Sequence, residues 1–204
     1  MLSSSDLAVV SKERFLFFKR WLENPLRLGA LAPSSKALGA KIAREVVMDN
    51  QKELSQGGFV LELGPGTGVF TEALLRAGVL PSQLLCVELD DFLTLHLKSK
   101  FPDIQVFQGS ACMLQKVLPQ EVQGKIVAVV SGIPMINLSR TMRAQIIDGV
   151  FSTSVPGTRL YQFTYSPFSS IAAKDFELKK RRLGTVFRNF PPATVWSYER
   201  FLAI

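Results

Sequence analysis

The chain predicts a doubly wound α/β fold: a mostly parallel, seven-stranded sheet covered by helices and preceded by an N-terminal helical extension. Three observations lead there. From about residue 57 onward, short apolar runs recur without polar alternation, the pattern of strands buried on both faces. Segments of helical spacing separate these runs. Glycines cluster where the first run hands over to the first helix, so the backbone there must turn tightly or approach a ligand.

Taken in order, "GFVLEL" (58–63) is the first strand, and "TGVFTEALLRAG" (67–78) is a helix ending near Gly78. "LLCVEL" (84–89) is the second strand, followed by a helix over "DDFLTLHLKSKF" (90–101), with Asp90 and Asp91 at the helix start, where the macrodipole favours acids. "IQVFQG" (104–109) is the third strand, leading to a short helix over 111–118. "KIVAVVSG" (125–132) is the most strand-like run, and "SRTMRAQIIDGVF" (139–151) has helical spacing. "TRLYQFTY" (158–165), "LGTVFRNF" (183–190) and "ATVWSYERF" (193–201) close the chain. The last two, joined at "FPPA", read as an antiparallel hairpin at one sheet edge. In such a sheet a ligand binds at the carboxyl ends of the strands.

Residues 1–50 lack strand character and form the helical extension; residues 51–204 form the sheet domain. Ser34 and Ser35 are placed to cap a helix over "KALGAKIAREVVMDN".

Composition bounds the function. With 204 residues, 47% of them hydrophobic, and a mean hydropathy of +0.20, the chain supports a sizeable core and is not disordered. Lys and Arg number 24 against 17 Asp and Glu, a net charge of +7, which points to an anionic partner: nucleic acid or a membrane surface. Cys86 and Cys112 form no spaced framework and read as reduced, buried thiols, so a reducing cytoplasmic setting is expected. The start carries no signal-peptide pattern and no run reaches the length of a membrane span, so the chain is expected to be soluble or peripheral. One histidine and two distant cysteines make no usual zinc set, and no metal is expected. His96, on the helix after the second strand, is a surface or packing residue.

The glycines are spaced Gly64-x-Gly66-x-Gly68. A pyrophosphate loop needs G-x-G-x-x-G, so a nicotinamide dinucleotide fits poorly. The run "LELGPGTG", with Glu62 two residues before Gly64, resembles the first motif of class I S-adenosylmethionine-dependent methyltransferases, which have a Rossmann-like sheet. The resemblance implies that Glu62, Gly64, Pro65, Gly66 and Gly68 surround the methionyl part of S-adenosyl-L-methionine. It places Glu88, with Leu89 beside it, at the ribose, where a carboxylate accepts from both hydroxyls. In "QGSAC", Ser110 stands where the family usually has the Asp that meets the adenine amino group, with Ala111 next to it; this departure weakens the adenine contact. "SGIPM" (131–135) takes the fourth-motif position, where Ser131 and Gly132 border the cofactor and the methyl acceptor enters. Adenine-N6 dimethylases of RNA carry an Asn and an aromatic residue there, and this chain supplies neither.

"FFKRWLENPLRLGALAPSSKALG", "VLELGPGTGVFTEAL", "SGIPM", "YQFTYSP" and "RNFPPATVWSYER" together resemble the bacterial phospholipid N-methyltransferase family, over about residues 15–201. That resemblance implies methylation of the phosphatidylethanolamine amine towards phosphatidylcholine, by a peripheral protein on the inner face of the cytoplasmic membrane, with no nucleic-acid partner. Two other readings stand beside it: an RNA adenine dimethylase, and a non-catalytic lipid-binding module on the same fold. In residues 7–22, Phe15, Phe18 and Leu22 align on one helical face, and Lys12, Lys19 and Arg20 add basic charge. This is the composition of an interfacial membrane helix, although a helix packed on the sheet also fits. "KKRR" (179–182) is a solvated charge run or a second membrane contact. By resemblance Tyr165 lines the acceptor pocket and orients the amine; a packed core tyrosine is the alternative. Arg188 either reaches the lipid phosphate or is an exposed strand arginine.

Overall fold

In the computed structural model, which describes residues 36–189 and 191–201, the apolar runs pair into one sheet. Its strands are β1 (Phe59–Leu63), β2 (Leu84–Glu88), β3 (Gln105–Gln108), β4 (Ile126–Ser131), β5 (Ser154–Thr164), β6 (Leu178–Val186) and β7 (Ala193–Arg200). Their order across the sheet is β3-β2-β1-β4-β5-β7-β6. Neighbours from β3 to β5 are parallel, while β7 runs antiparallel between β5 and β6. β6 therefore points the same way as β5, and the carboxyl ends of β1 to β6 share one rim. The chain reverses its winding between β1 and β4, the position where such sheets open a crevice for a ligand.

The helices are α1 (Lys36–Asp49), α2 (Gln51–Ser55), α3 (Val69–Arg76), α4 (Asp91–Lys100), α5 (Leu114–Val117) and α6 (Arg140–Thr153). Because side chains alternate along each strand, every central strand feeds two cores. On one face Leu61, Leu63, Leu85, Val129, Leu160 and Tyr198 meet Leu114 and the α6 residues Ile146, Ile147 and Val150. On the other, Val60, Leu84, Cys86, Ala128, Val130 and Tyr161 meet α1, α3 and α4 through Leu38, Ile42, Val46, Phe70, Leu74 and Leu97. Helix α1, grouped above with the extension, thus contributes to the core of the sheet domain. It lies close to α3, since a Cβ on Gly39 would come 3.0 Å from the Ala73 Cβ.

Three elements differ from expectation, the first being β5, which begins at Ser154 rather than at 158. The edge strand spans 178–186, not 183–190, so "KKRR" lies inside it. Those four residues carry no apolar signal, but an edge strand needs only one hydrogen-bonded ladder, and charged side chains keep it from pairing with another chain. The helix expected over 111–118 begins as a 3₁₀ turn, Ala111–Met113, because the Ser110 hydroxyl accepts the Cys112 N–H and tightens its start. Cys112 is half-buried, less than expected, whereas Cys86 is fully buried; the two form no disulfide with each other. No helix among the described residues is long and apolar enough to cross a membrane.

Candidate functional site

The loop joining β1 to α3 is built by its glycines. Gly64, Gly66 and Gly68 have φ of 64°, 58° and 83°, a left-handed backbone that side chains disfavour. Space sets a second demand at two of them. A Cβ on Gly64 would stand 2.9 Å from Ile133 Cγ1, and one on Gly68 would stand 2.5 Å from the Phe101 ring. Gly66 is the exception: nothing lies within 4 Å of its Cβ position. Its backbone borders open space at the carboxyl rim.

Glu88, at the end of β2, reaches this loop. Its Oε2 accepts the Gly66 N–H at 3.0 Å, and its Oε1 accepts the N–H groups of Leu89 at 2.8 Å and Asp90 at 3.1 Å. Burial raises its pKa, and the three N–H donors work against that rise. A second link fixes the helix that follows, because Asp90 caps α4 by accepting the Leu93 N–H at 2.9 Å.

Glu62 behaves differently. It is fully buried on the α3 side of β1, where its Oε2 accepts from the Thr71 hydroxyl at 2.7 Å. Burial raises its pKa to about 7, only partly offset by the hydrogen bonds from Thr71 and Cys86. Its Oε1 is buried without a partner. Glu62 anchors the base of the loop to the helix leaving it. Cys86 lies 3.7 Å from the same carboxylate, and burial pushes its thiol pKa well up.

The segment after β4 meets this loop. The Gly132 N–H donates to Leu63 O at 2.8 Å, and a Cβ on Gly132 would come 2.5 Å from Gly64 O. Ser131 is buried, and its hydroxyl accepts the Ile133 N–H at 3.3 Å. Gln162 of β5 steadies the segment by donating to Ile133 O at 3.1 Å and to Phe163 O at 3.0 Å. Sequence reasoning passed over Gln162, although an amide in the otherwise apolar "RLYQF" was a visible signal.

Glu62, Gly64, Pro65, Gly66, Gly68, Glu88, Leu89, Ser131 and Gly132 are thus assembled around the carboxyl ends of β1, β2 and β4. Ser110 and Ala111 follow β3 on the same rim, with the Ser110 hydroxyl engaged as a cap. Tyr165 follows β5, half-buried; its ring packs edge-on to Phe163 at 5.5 Å, and Phe163 packs likewise on Phe70 at 5.4 Å. This aromatic chain ties Tyr165 to the start of α3, beside the glycine loop. Arg188 lies in the turn after β6, exposed and separated from β5 by β7. His96 is exposed on α4. Lys12, Phe15, Phe18, Lys19, Arg20 and Leu22, like Ser34 and Ser35, lie outside the described residues.

Pairing splits the "KKRR" run. Arg181 bonds Asp49 at 2.7 Å, Arg182 bonds Thr185 at 2.7 Å, and Lys179 and Lys180 sit over the rings of Phe201 and Trp196. The alternating register sends Lys179 and Arg181 to one face and Lys180 and Arg182 to the other, so the run forms no single basic patch.

The site has a glycine cradle open at Gly66, a buried carboxylate acceptor and a neighbouring second loop, and these suit a nucleoside-bearing cofactor. No group of three metal-ligating side chains occurs among the described residues.

No protein-family model matches the chain. It is 25% identical over 187 residues to an ornithine lipid N-methyltransferase from Singulisphaera acidiphila, covering 89% of this chain and 93% of that protein. Among solved structures it is similar to a TehB-like methyltransferase, described as dependent on S-adenosylmethionine, from Corynebacterium glutamicum. That match has 15% identity and a TM-score of 0.55, covering 94% of this chain and 100% of the other. It is also similar to a magnesium protoporphyrin IX methyltransferase from Synechocystis with bound S-adenosylmethionine, at 14% identity and a TM-score of 0.59, covering 89% and 84%. These structural likenesses establish the fold as the Rossmann-like one of class I methyltransferases.

Proposed function

We propose that this chain, an S-adenosylmethionine-dependent methyltransferase, transfers methyl groups to the amine of a membrane lipid. The observation that carries the cofactor is the Gly66 backbone, which borders open space and is held by the buried Glu88 carboxylate. When bound there, S-adenosylmethionine supplies an electrophilic methyl group. The residues that would hold it are Gly64, Pro65, Gly66, Gly68, Glu88, Leu89, Ser110, Ala111, Ser131 and Gly132, with Glu62 setting the loop from beneath.

The chain's own contribution is positioning. Displacement at a methyl group needs a nucleophile aligned with the breaking bond and kept from competing water, so pre-set geometry carries much of the rate. The close contact of Gly132 with Gly64 fixes the acceptor-side loop against the cofactor-side loop. Tyr165 orients the incoming amine from the next strand, and Arg188 stands ready for an acidic headgroup group. The lipid acceptor is supported by the 25% identical relative that bears that activity in its name. Phosphatidylethanolamine is the acceptor that the N-terminal and C-terminal sequence motifs favour. Lys12, Phe15, Phe18, Lys19, Arg20 and Leu22 form a membrane-contacting segment, and the protein acts peripherally at the cytoplasmic face of the inner membrane.

The test is incubation with cofactor labelled in its methyl group and three acceptors: phosphatidylethanolamine vesicles, ornithine lipid vesicles and structured RNA. Label is expected in the phosphatidylethanolamine fraction. Label in ornithine lipid alone would move the substrate to the relative's, and label in RNA alone would overturn the lipid reading.

A further inference from the structure

We infer that the carboxyl rim of the sheet is itself a membrane-docking face, seated on an anionic bilayer through Ile136, Phe168 and Phe187. This rests on the lipid reading above and names the surface that brings the site to its substrate. Nine large apolar side chains are exposed among the described residues, and five of them follow strand ends at this one rim. Phe92 follows β2, Met113 follows β3, Ile136 follows β4, Phe168 follows β5 and Phe187 follows β6. Phe92, Phe168 and Phe187 are the most exposed of the nine, at 77%, 78% and 81%. Single exposed apolar residues are ordinary, but large ones gathered on one edge mark a contact surface.

The three on the acceptor side stand in a row. β4, β5, β7 and β6 are consecutive in the sheet, so the loops after β4, β5 and β6 span roughly 14 Å at the usual strand spacing. Charge identifies the occupant. Segments 132–140, 165–177 and 187–192 contain Arg140, Lys174 and Arg188 against Asp175 and Glu177. Both acids sit at the far end of the second segment, next to β6, and the stretches around Ile136, Phe168 and Phe187 carry none. Arg188 adjoins Phe187 and makes no ion pair among the described residues; Arg140 comes no nearer than 3.9 Å to Asp175. Apolar tips interleaved with arginines match an interface of acyl chains beneath anionic headgroups. The seating also has a chemical purpose: Tyr165 and the loop after β4 lie on this rim, so a lipid amine reaches them without leaving the bilayer.

The test is flotation of the full chain on vesicles of phosphatidylglycerol and phosphatidylethanolamine, at low and high salt, with S-adenosylhomocysteine present. The double variant Phe168→Ser, Phe187→Ser is expected to lose at least about tenfold in partitioning at both salt concentrations, since two apolar anchors are removed. Its affinity for S-adenosylhomocysteine should be unchanged, which shows that it is folded. Arg188→Gln should lose partitioning mainly at low salt. Flotation of the double variant equal to wild type would overturn the inference, as would wild type that does not float. Two other results would overturn it by naming another occupant. A shift in wild-type self-association on removing the two rings points to a second copy, and a loss of thermal stability with flotation unchanged points to residues 1–35. Methylation of a dispersed short-chain phosphatidylethanolamine by wild type separates the two ideas: its failure would remove the substrate reading, while flotation still decides the docking face.

Discussion

Glu62 shows how one residue type serves two roles within one site. Both it and Glu88 are buried carboxylates at strand ends, yet Glu88 accepts three backbone N–H bonds while Glu62 has one oxygen without a partner. The folded chain therefore raises the Glu62 pKa from 4.5 to about 7. Between these values the native state holds a proton that the unfolded chain has released, so the contribution of this carboxyl to stability is fully present below pH 4.5. It is lost as pH rises through about 7, and amounts to on the order of 3 kcal/mol for this group. Glu62→Gln removes the titration, so the variant should lose less stability than wild type between pH 5 and pH 8. Urea unfolding at both pH values measures this, and parallel stability changes for the two proteins would refute it. The acid of "LELGPGTG" was readable as part of a loop motif; that it faces Thr71 and Cys86 within the core was not, because that depends on the parity of its position in β1.

At the scale of elements, the two loops bordering the crevice use glycine for different reasons. Gly66 needs its backbone conformation and leaves free space, whereas Gly132 needs close contact with Gly64 O. Gly66→Ala should therefore cost about 1 kcal/mol of stability, the usual penalty for a left-handed non-glycine residue, yet lower S-adenosylhomocysteine affinity at least about tenfold. Gly132→Ala forces two backbones apart and should cost about 1–3 kcal/mol of stability as well as affinity. Thermal unfolding paired with calorimetry separates them; a Gly66→Ala variant that binds normally would remove the glycine loop from the cofactor site. The edge strand β6 carries the matching lesson about legibility. Its first half is Leu178 followed by the four charges of "KKRR"; a single buried leucine gives no periodicity, and this half is held by pairing with β7.

At the scale of the whole molecule, the net charge of +7 is distributed unevenly in its use. Arg159 and Arg181 pair with Asp49, and Lys180 lies over Trp196, so part of the basic excess is spent inside the fold. On the reading proposed above, the charge that meets an anionic surface is that of the rim together with Lys12, Lys19 and Arg20. Replacing Lys12, Lys19 and Arg20 with Gln should lower flotation on phosphatidylglycerol vesicles more at low than at high salt, because such attractions are screened over about 8–10 Å at ordinary ionic strength. An equal loss at both salt concentrations would mean that these residues act through folding rather than through attraction to the surface.

The sequence by itself determined the sheet, its parallel core and antiparallel final hairpin, and the glycine turn at the end of β1. Each of these rests on local pattern: apolar runs such as "KIVAVVSG", helix-start acids such as Asp90, and glycines at a strand end. Tertiary structure alone decided what those residues face. It turned Glu62 into the core, set Gly132 against Gly64, bonded Gln162 to the loop after β4, split the basic run between two faces and gathered Ile136, Phe168 and Phe187 on one rim. The physical reason is that strand pairing joins residues dozens of positions apart. Which side chains share a rim or a face depends on strand order and register, and neither is written in any local stretch of the chain.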